Sequence, residues 1–423
     1  MRIENIRSET TKGRIRRLAD IVWENNARQR QTVWFETGVA DEDFLSGSAN
    51  SFLVGAAIPA LGAGERRVSV DAPVCPELKQ NLNVACRILS QWYGHRQPPP
   101  EIEADVLTSL PPVLGERSTG IFLSGGIDSS ASLRANRLQV PRSYPSSVTH
   151  GVLVFGYDIG AYADGDANAD QQRFEHALGS ARAIAEDAEL ELVLIHTNIR
   201  HLNEDLDFWL NYYFGAFLAS VAHQLDRKLQ SMIINSGPDI STLAPHGSHP
   251  LLDPYYGTAS MNIIHHGIEY TRLEKTRLVA DWPVGFANLR VCTRGEYVNG
   301  LNCGICEKCV RTMVALQALG RLSGCGIFPQ QEVDPDFFLR KTVISDVYPA
   351  FCYEECLSLL DARGEQRLAA AIRTNLRIYQ RSKRHRLAKW TDMRRLRHLA
   401  WKLDRAYTQG LFYQMFRKVT GRS

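Results

Sequence analysis

The sequence predicts an α/β fold: a parallel sheet with helices on both faces, preceded by an N-terminal α+β region and followed by a C-terminal helical extension. Three observations lead there. Short apolar runs alternate with amphipathic stretches through the middle of the chain, one run ends in a serine- and glycine-rich turn, and 423 residues exceed one ordinary core. With 44% hydrophobic and 22% charged residues, the composition excludes a disordered chain.

The first zone, residues 1–113, reads as an α+β accessory domain. Thr32–Thr37 and Arg66–Val70 are strand-like, Ser51–Leu61 reads as a buried helix, and Pro76–Tyr93 has the spacing of an amphipathic helix. The proline run Pro98–Pro100 and the pair Pro111-Pro112 read as a linker. The second zone, 114–326, has candidate strands at Gly120–Leu123, Gly151–Phe155, Leu190–His196, Met232–Asn235 and Met261–His265. Helical stretches follow at Asp128–Arg137, Asp170–Ala188, Phe208–Arg227 and Thr271–Ala280, which is the βαβ rhythm of a parallel sheet.

The third zone, 327–423, reads as helical and basic. Arg363–Arg422 holds seventeen Lys and Arg against only a few acids, and Arg394–Tyr407 carries one apolar stripe (Leu396, Leu399, Leu403, Tyr407) between them. A solvated face, an anionic membrane surface and an acidic partner or nucleic acid all fit such a tail. The N-terminus lacks the continuous apolar segment of a secretion signal, and Phe52–Gly64 is well short of the roughly 20 residues of a transmembrane helix. A cytoplasmic location is therefore expected.

Gly120-Ile-Phe-Leu-Ser-Gly-Gly-Ile-Asp-Ser-Ser carries the chemistry. Gly125 and Gly126 let the backbone turn tightly against an anion, the helix that follows offers free N–H groups, and Ser124, Ser129 and Ser130 add hydroxyls. Asp128 would repel phosphates unless a Mg²⁺ ion lay between them. The Walker spacing with its Lys-Ser/Thr ending is absent from this loop, which disfavours kinase and GTPase chemistry. Further on, Cys292, Cys303, Cys306 and Cys309 form a C-x10-C-x2-C-x2-C array. Four thiolates so spaced suit a closed structural Zn²⁺ site, with an iron–sulfur cluster as the competitor.

The loop resembles that of the N-type ATP pyrophosphatases, and loop and cysteine array together resemble 7-cyano-7-deazaguanine synthases. The resemblance covers about half the chain and implies an ATP-dependent ligase. It would activate a small heteroaromatic carboxylate as an acyl-adenylate, release pyrophosphate, and then form an amide or nitrile with ammonia. It places Ser124, Gly125, Gly126, Ser129 and Ser130 on the phosphates of ATP, Asp128 on Mg²⁺, Lys275 on developing phosphate charge, and Phe155 beside the adenine. Asn235, Gly237 and Asp239 fall in the substrate loop, and the four cysteines on zinc. After Pro238-Asp239 this chain reads Ile-Ser-Thr where the synthases carry Cys-Arg, and its first and last hundred residues have no counterpart there. The alternatives are conjugation of a deazapurine to a partner-protein amine in a defence operon, tRNA thiolation, and a non-enzymatic zinc-stapled adaptor.

Overall fold

The structure is a computed structural model and describes residues 1–95, 97–110, 118–162, 165–292 and 302–382. It opens with an antiparallel meander of β1 (Arg2–Thr11), β2 (Arg14–Val22) and β3 (Gln31–Gly38). Lys12 (φ 51°) and Gly13 (φ 76°) turn the first hairpin, the left-handed pair that a two-residue loop requires. Helix α1 (Ala49–Gly62), β4 (Arg67–Val70), α2 (Pro76–Tyr93) and β5 (Glu101–Glu103) follow, with β4 parallel to both β1 and β5.

The second half alternates β6 (Ser118–Phe122), α3 (Ile127–Gln139), β7 (Val148–Phe155), α4 (Ala167–Asp187) and β8 (Glu191–Thr197). Then come α5 (Leu206–Phe208), a π turn at Trp209–Tyr213, α6 (Phe214–Gln224), β9 (Leu229–Asn235) and β10 (Asn262–His266). Helices α7 (Arg272–Ala280), α8 (Pro283–Ala287) and α9 (Glu307–Leu319) complete it.

All ten strands join one sheet in the order β10-β9-β6-β7-β8-β3-β2-β1-β4-β5, mostly parallel. Within β6 to β10 every neighbouring pair is parallel. Numbered from β6, the spatial order is 5-4-1-2-3, so the chain reverses direction across the sheet between β6 and β9. In doubly wound sheets that switch point is where ligands bind, outside the carboxyl ends of the strands. Side chains alternate between two cores: Met232, Ile234 and Ile263 pack on the α1 and α6 side, Ile121, Ile233 and Leu153 on the α3 and α4 side. Burial on both faces explains why these strands are continuous apolar runs.

The division expected after residue 113 does not divide the structure. β3 pairs antiparallel with β8 (Phe35↔Thr197, Glu36↔His196), and one compact unit runs Met1–Glu332. Hydrogen bonds cross this junction: Thr197 Oγ1 donates to Trp34 O at 2.7 Å and Thr37 Oγ1 to Leu194 O at 2.8 Å. Pro98–Pro100 leads into β5, the edge strand, where a missing N–H costs least. Pro111-Pro112 lies outside the described residues. The helix expected over Phe208–Arg227 is broken by the π turn, and its last residues fold as a turn before β9.

The second unit begins at Val333. Its helices α10 (Pro335–Lys341), α11 (Val347–Glu354), α12 (Leu357–Ala362) and a helix over 366–382 bury Phe338 against Tyr353, and Asn375 Nδ2 donates to Thr342 O at 3.0 Å. Cys352 and Cys356 are buried there. The basic stripe Arg394–Tyr407, and with it the expected acidic partner, lies outside the described residues. Among the described residues no helix is long and apolar enough to cross a membrane.

Candidate functional site

The serine-glycine turn leaves β6 at the switch point. Gly125 has φ +72°, a conformation that side chains rarely adopt, and Gly126 is the residue before the first turn of α3. The turn is held from outside: Arg290 N donates to Gly125 O at 2.8 Å, and the Arg290 guanidinium donates to Ser124 O at 3.2 and 3.3 Å. Ser124 Oγ and Ser129 Oγ lie 3.2 Å apart, and Ser129 Oγ donates to Gly126 O. Ser130 is fully buried, and its Oγ has no hydrogen-bond partner among the described residues. The first-turn amides of α3 have no intrahelical acceptor, as in any helix. Backbone donors and an orphaned hydroxyl thus gather where an anion would sit.

Asp128 projects from that first turn and is a third exposed, with side-chain accessibility of 32%. Arg272 Nη1 meets its Oδ1 at 2.8 Å. Burial would raise the Asp128 carboxyl, but the charges of Arg272, Lys275 and Arg311 hold it below its ordinary value. Lys275, expected to serve the phosphates, is buried and donates to Ser236 O at 2.8 Å and Gly237 O at 3.0 Å, bracing the loop after β9. Burial lowers its ammonium below the ordinary lysine value, against the pull of Asp128. The side chain that reaches Asp128 is therefore Arg272, three residues earlier on α7.

The structure gathers the other expected residues along the same strand ends, with differing freedom. Asn235, the last residue of β9, ties the switch point together through Nδ2 to Phe122 O at 2.7 Å, while its Oδ1 is buried without a partner among the described residues. Gly237 offers its carbonyl to Lys275. Asp239 Oδ1 accepts from the amides and hydroxyls of Ser241 and Thr242, so one oxygen is committed to shaping its own loop. The Phe155 ring is engaged in packing, stacked on His196 at 5.1 Å and edge-on to Phe174. Gly156 follows at φ +107°, where an added Cβ would lie 2.0 Å from Thr197 O.

The sulfurs of Cys292, Cys303, Cys306 and Cys309 all lie within 4.8 Å of one another, a cluster that can hold a metal such as zinc. Cys303 Sγ and Cys309 Sγ are 3.8 Å apart, matching the edge of roughly 3.8 Å of a tetrahedron with Zn–S bonds near 2.3 Å. Cys306 precedes the first turn of α9 and Cys309 lies within that turn. The crowded thiols share protons unequally: hydrogen bonding from Cys309 holds Cys306 below the usual thiol value, and Cys309 is pushed up in turn.

Four residues in this region escaped the sequence reading. Asn302, 1% exposed, accepts from the amides of Val291 (2.7 Å) and Cys292 (3.2 Å) through Oδ1 and donates to Leu289 O (2.8 Å) and Ile327 O (3.1 Å). It sets Cys292 beside the other three. Arg290 links the cysteine segment to the turn and sits 3.6 Å from Asp158. Lys308 and Arg311, on the helix that carries Cys309, lie within electrostatic reach of Asp128. The only sequence signal was their position between or beside the cysteines.

Compared with known protein families, curated proteins and solved structures, the chain matches none.

Proposed function

We propose that the protein is an ATP-dependent ligase of the N-type ATP pyrophosphatase class that activates a carboxylate as an acyl-adenylate. One observation carries the reading: a serine-glycine turn leaves the central strand at the switch point and opens a helix whose Asp128 is paired with Arg272. The substrate carboxylate oxygen bonds to the α-phosphorus, the bond to the β-phosphate bridging oxygen breaks, and pyrophosphate leaves with the electron pair.

Ser124, Ser129, Ser130 and the first-turn amides of α3 would hold the outer phosphates. Asp128 would hold Mg²⁺, which neutralises phosphate charge when bound. Arg272, Lys308 and Arg311 supply fixed positive charge for the leaving pyrophosphate, and such preorganised charge stabilises the transition state more than the ground state. Lys275 retains one N–H beyond its two carbonyl bonds and acts chiefly by holding Ser236 and Gly237, the rim of the acid's binding site.

The cysteine cluster holds zinc in this reading, since four sulfurs at tetrahedral spacing leave no open coordination position. Its task is structural: it anchors the start of α9, from which Lys308 and Arg311 extend.

The test is pyrophosphate release from ATP with 7-carboxy-7-deazaguanine and related heteroaromatic acids, with ammonia or a partner-protein amine as acceptor. Acid-dependent release that Asp128→Asn abolishes is expected. Release indifferent to any acid, or unchanged in Asp128→Asn, refutes the assignment.

A further inference from the structure

Near the same strand ends, His265 of β10 and Asp253 of the loop before it form a buried acid–imidazole pair. Asp253 is wholly buried, and its Oδ2 accepts from His265 Nδ1 at 2.8 Å and from Ser248 Oγ at 2.6 Å. Its Oδ1 accepts from the His249 amide at 3.2 Å. A carboxylate on Nδ1 fixes the tautomer, placing the proton there and the lone pair on Nε2. The His265 side chain is 4% exposed, and Nε2 is buried with no hydrogen-bond partner among the described residues.

The loop that delivers Asp253 is built with care. Gly247 N donates to Leu210 O, a carbonyl of the π turn, and Gly215 N donates to Gly247 O, both at 2.9 Å. A Cβ at Gly215 would lie 2.5 Å from Gly247 O and 2.7 Å from Asp253 Oδ1. π turns inside helices recur at functional sites because they release a carbonyl from the helix ladder. Were the pair only a staple for this loop, the Asp253 bonds would suffice. A buried acceptor left without a partner is destabilising, so the free lone pair points to a ligand.

Its place defines that ligand. His265 registers with Ile234, one residue before Asn235 at the switch point. We infer that His265 is the general base for the acceptor that attacks the activated acid, with Asp253 as its positioning residue. The inference rests on the proposed carboxylate activation. The acceptor nitrogen bonds to the acyl carbon, the acyl–oxygen bond to AMP breaks with its electron pair leaving on AMP, and the proton released from nitrogen passes to His265 Nε2.

The experiment separates the two half-reactions with 7-carboxy-7-deazaguanine and ATP, using either ammonia or hydroxylamine. Hydroxylamine is neutral near pH 7 and captures acyl-adenylates without a base. His265→Gln is expected to keep hydroxamate formation and pyrophosphate release near wild type while losing amide formation by ~10²–10⁴-fold. Amide formation at the wild-type rate, or equal loss of hydroxamate and amide, overturns the assignment.

Nitrogen-15 spectra of histidine-labelled wild-type protein provide an arm that needs no substrate. The neutral His265 tautomer should carry its proton on Nδ1, and Asp253→Asn should move that proton onto Nε2. A neutral tautomer already protonated on Nε2 in wild type, or an unmoved proton in the variant, overturns the pair's role. If the wild type releases no pyrophosphate with any acid, the activation reading fails and with it this role in amide formation, whatever the spectra show of the tautomer.

Discussion

Arg272 Nη1 lies 2.8 Å from Asp128 Oδ1, so the first turn of α7 is joined by charge to the first turn of α3. Both residues stand at helix starts, and the pair closes one side of the serine-glycine turn.

On the proposed reaction, Arg272→Met should lower pyrophosphate release by ~10²-fold with little change in Tm, because it removes charge that would serve the leaving pyrophosphate. Lys275→Met should instead lower Tm as well, since two loop carbonyls lose their donor. Thermal melts run beside a pyrophosphate assay check both, and identical behaviour of the two variants would refute the distinction.

Asn302→Leu should cost about 3 kcal/mol, as the amides of Val291 and Cys292 and the carbonyls of Leu289 and Ile327 are left buried and unmatched. Metal affinity should fall ~10–100-fold, the usual effect of removing an outer-shell partner. Competition with a colorimetric chelator measures this. Cys309→Ser should lose the metal outright.

Acid should loosen the β3–β8 junction in two stages. Burial depresses His196 to about 4, so the unfolded chain binds the extra proton first and stability falls as pH drops from about 6.5 to about 4. Glu36 is held below its ordinary 4.5, its burial outweighed by Arg14 and Arg16. Its contribution is present above that value and is lost as pH falls through the lowered one. Urea midpoints between pH 3 and 7 should show His196→Phe removing the upper stage and Glu36→Gln the lower.

Gly156→Ala should destabilise by about 3 kcal/mol or more, since the new methyl would overlap Thr197 O at a φ of +107°. Urea denaturation at neutral pH tests it, and a loss below about 1 kcal/mol would show that the strand ends can yield.

Sequence was a good guide where chemistry is local. The turn at Ser124–Gly126 announces itself through two glycines between a strand and a helix, and the cysteine array through spacing alone. Five parallel strands were legible because burial on both faces makes each an apolar run. β1 and β2 were not, since their exposed faces are crowded with Arg and Glu. Asn302 and Asp253 were invisible for another reason: their partners lie 10 to 25 and 4 to 12 residues away and meet only after folding. Arg272 was passed over for Lys275 because helix phase cannot tell which cation turns toward Asp128.

The antiparallel seam between β3 and β8 has a practical corollary. A shortened chain beginning near residue 118 would present β8 as a bare edge, with Trp34 and Thr37 no longer there to occupy Thr197 and Leu194. Such an edge recruits strands from other molecules. The smallest soluble piece able to work is thus set by edge protection, and it includes the first hundred residues even though no proposed phosphate contact comes from them.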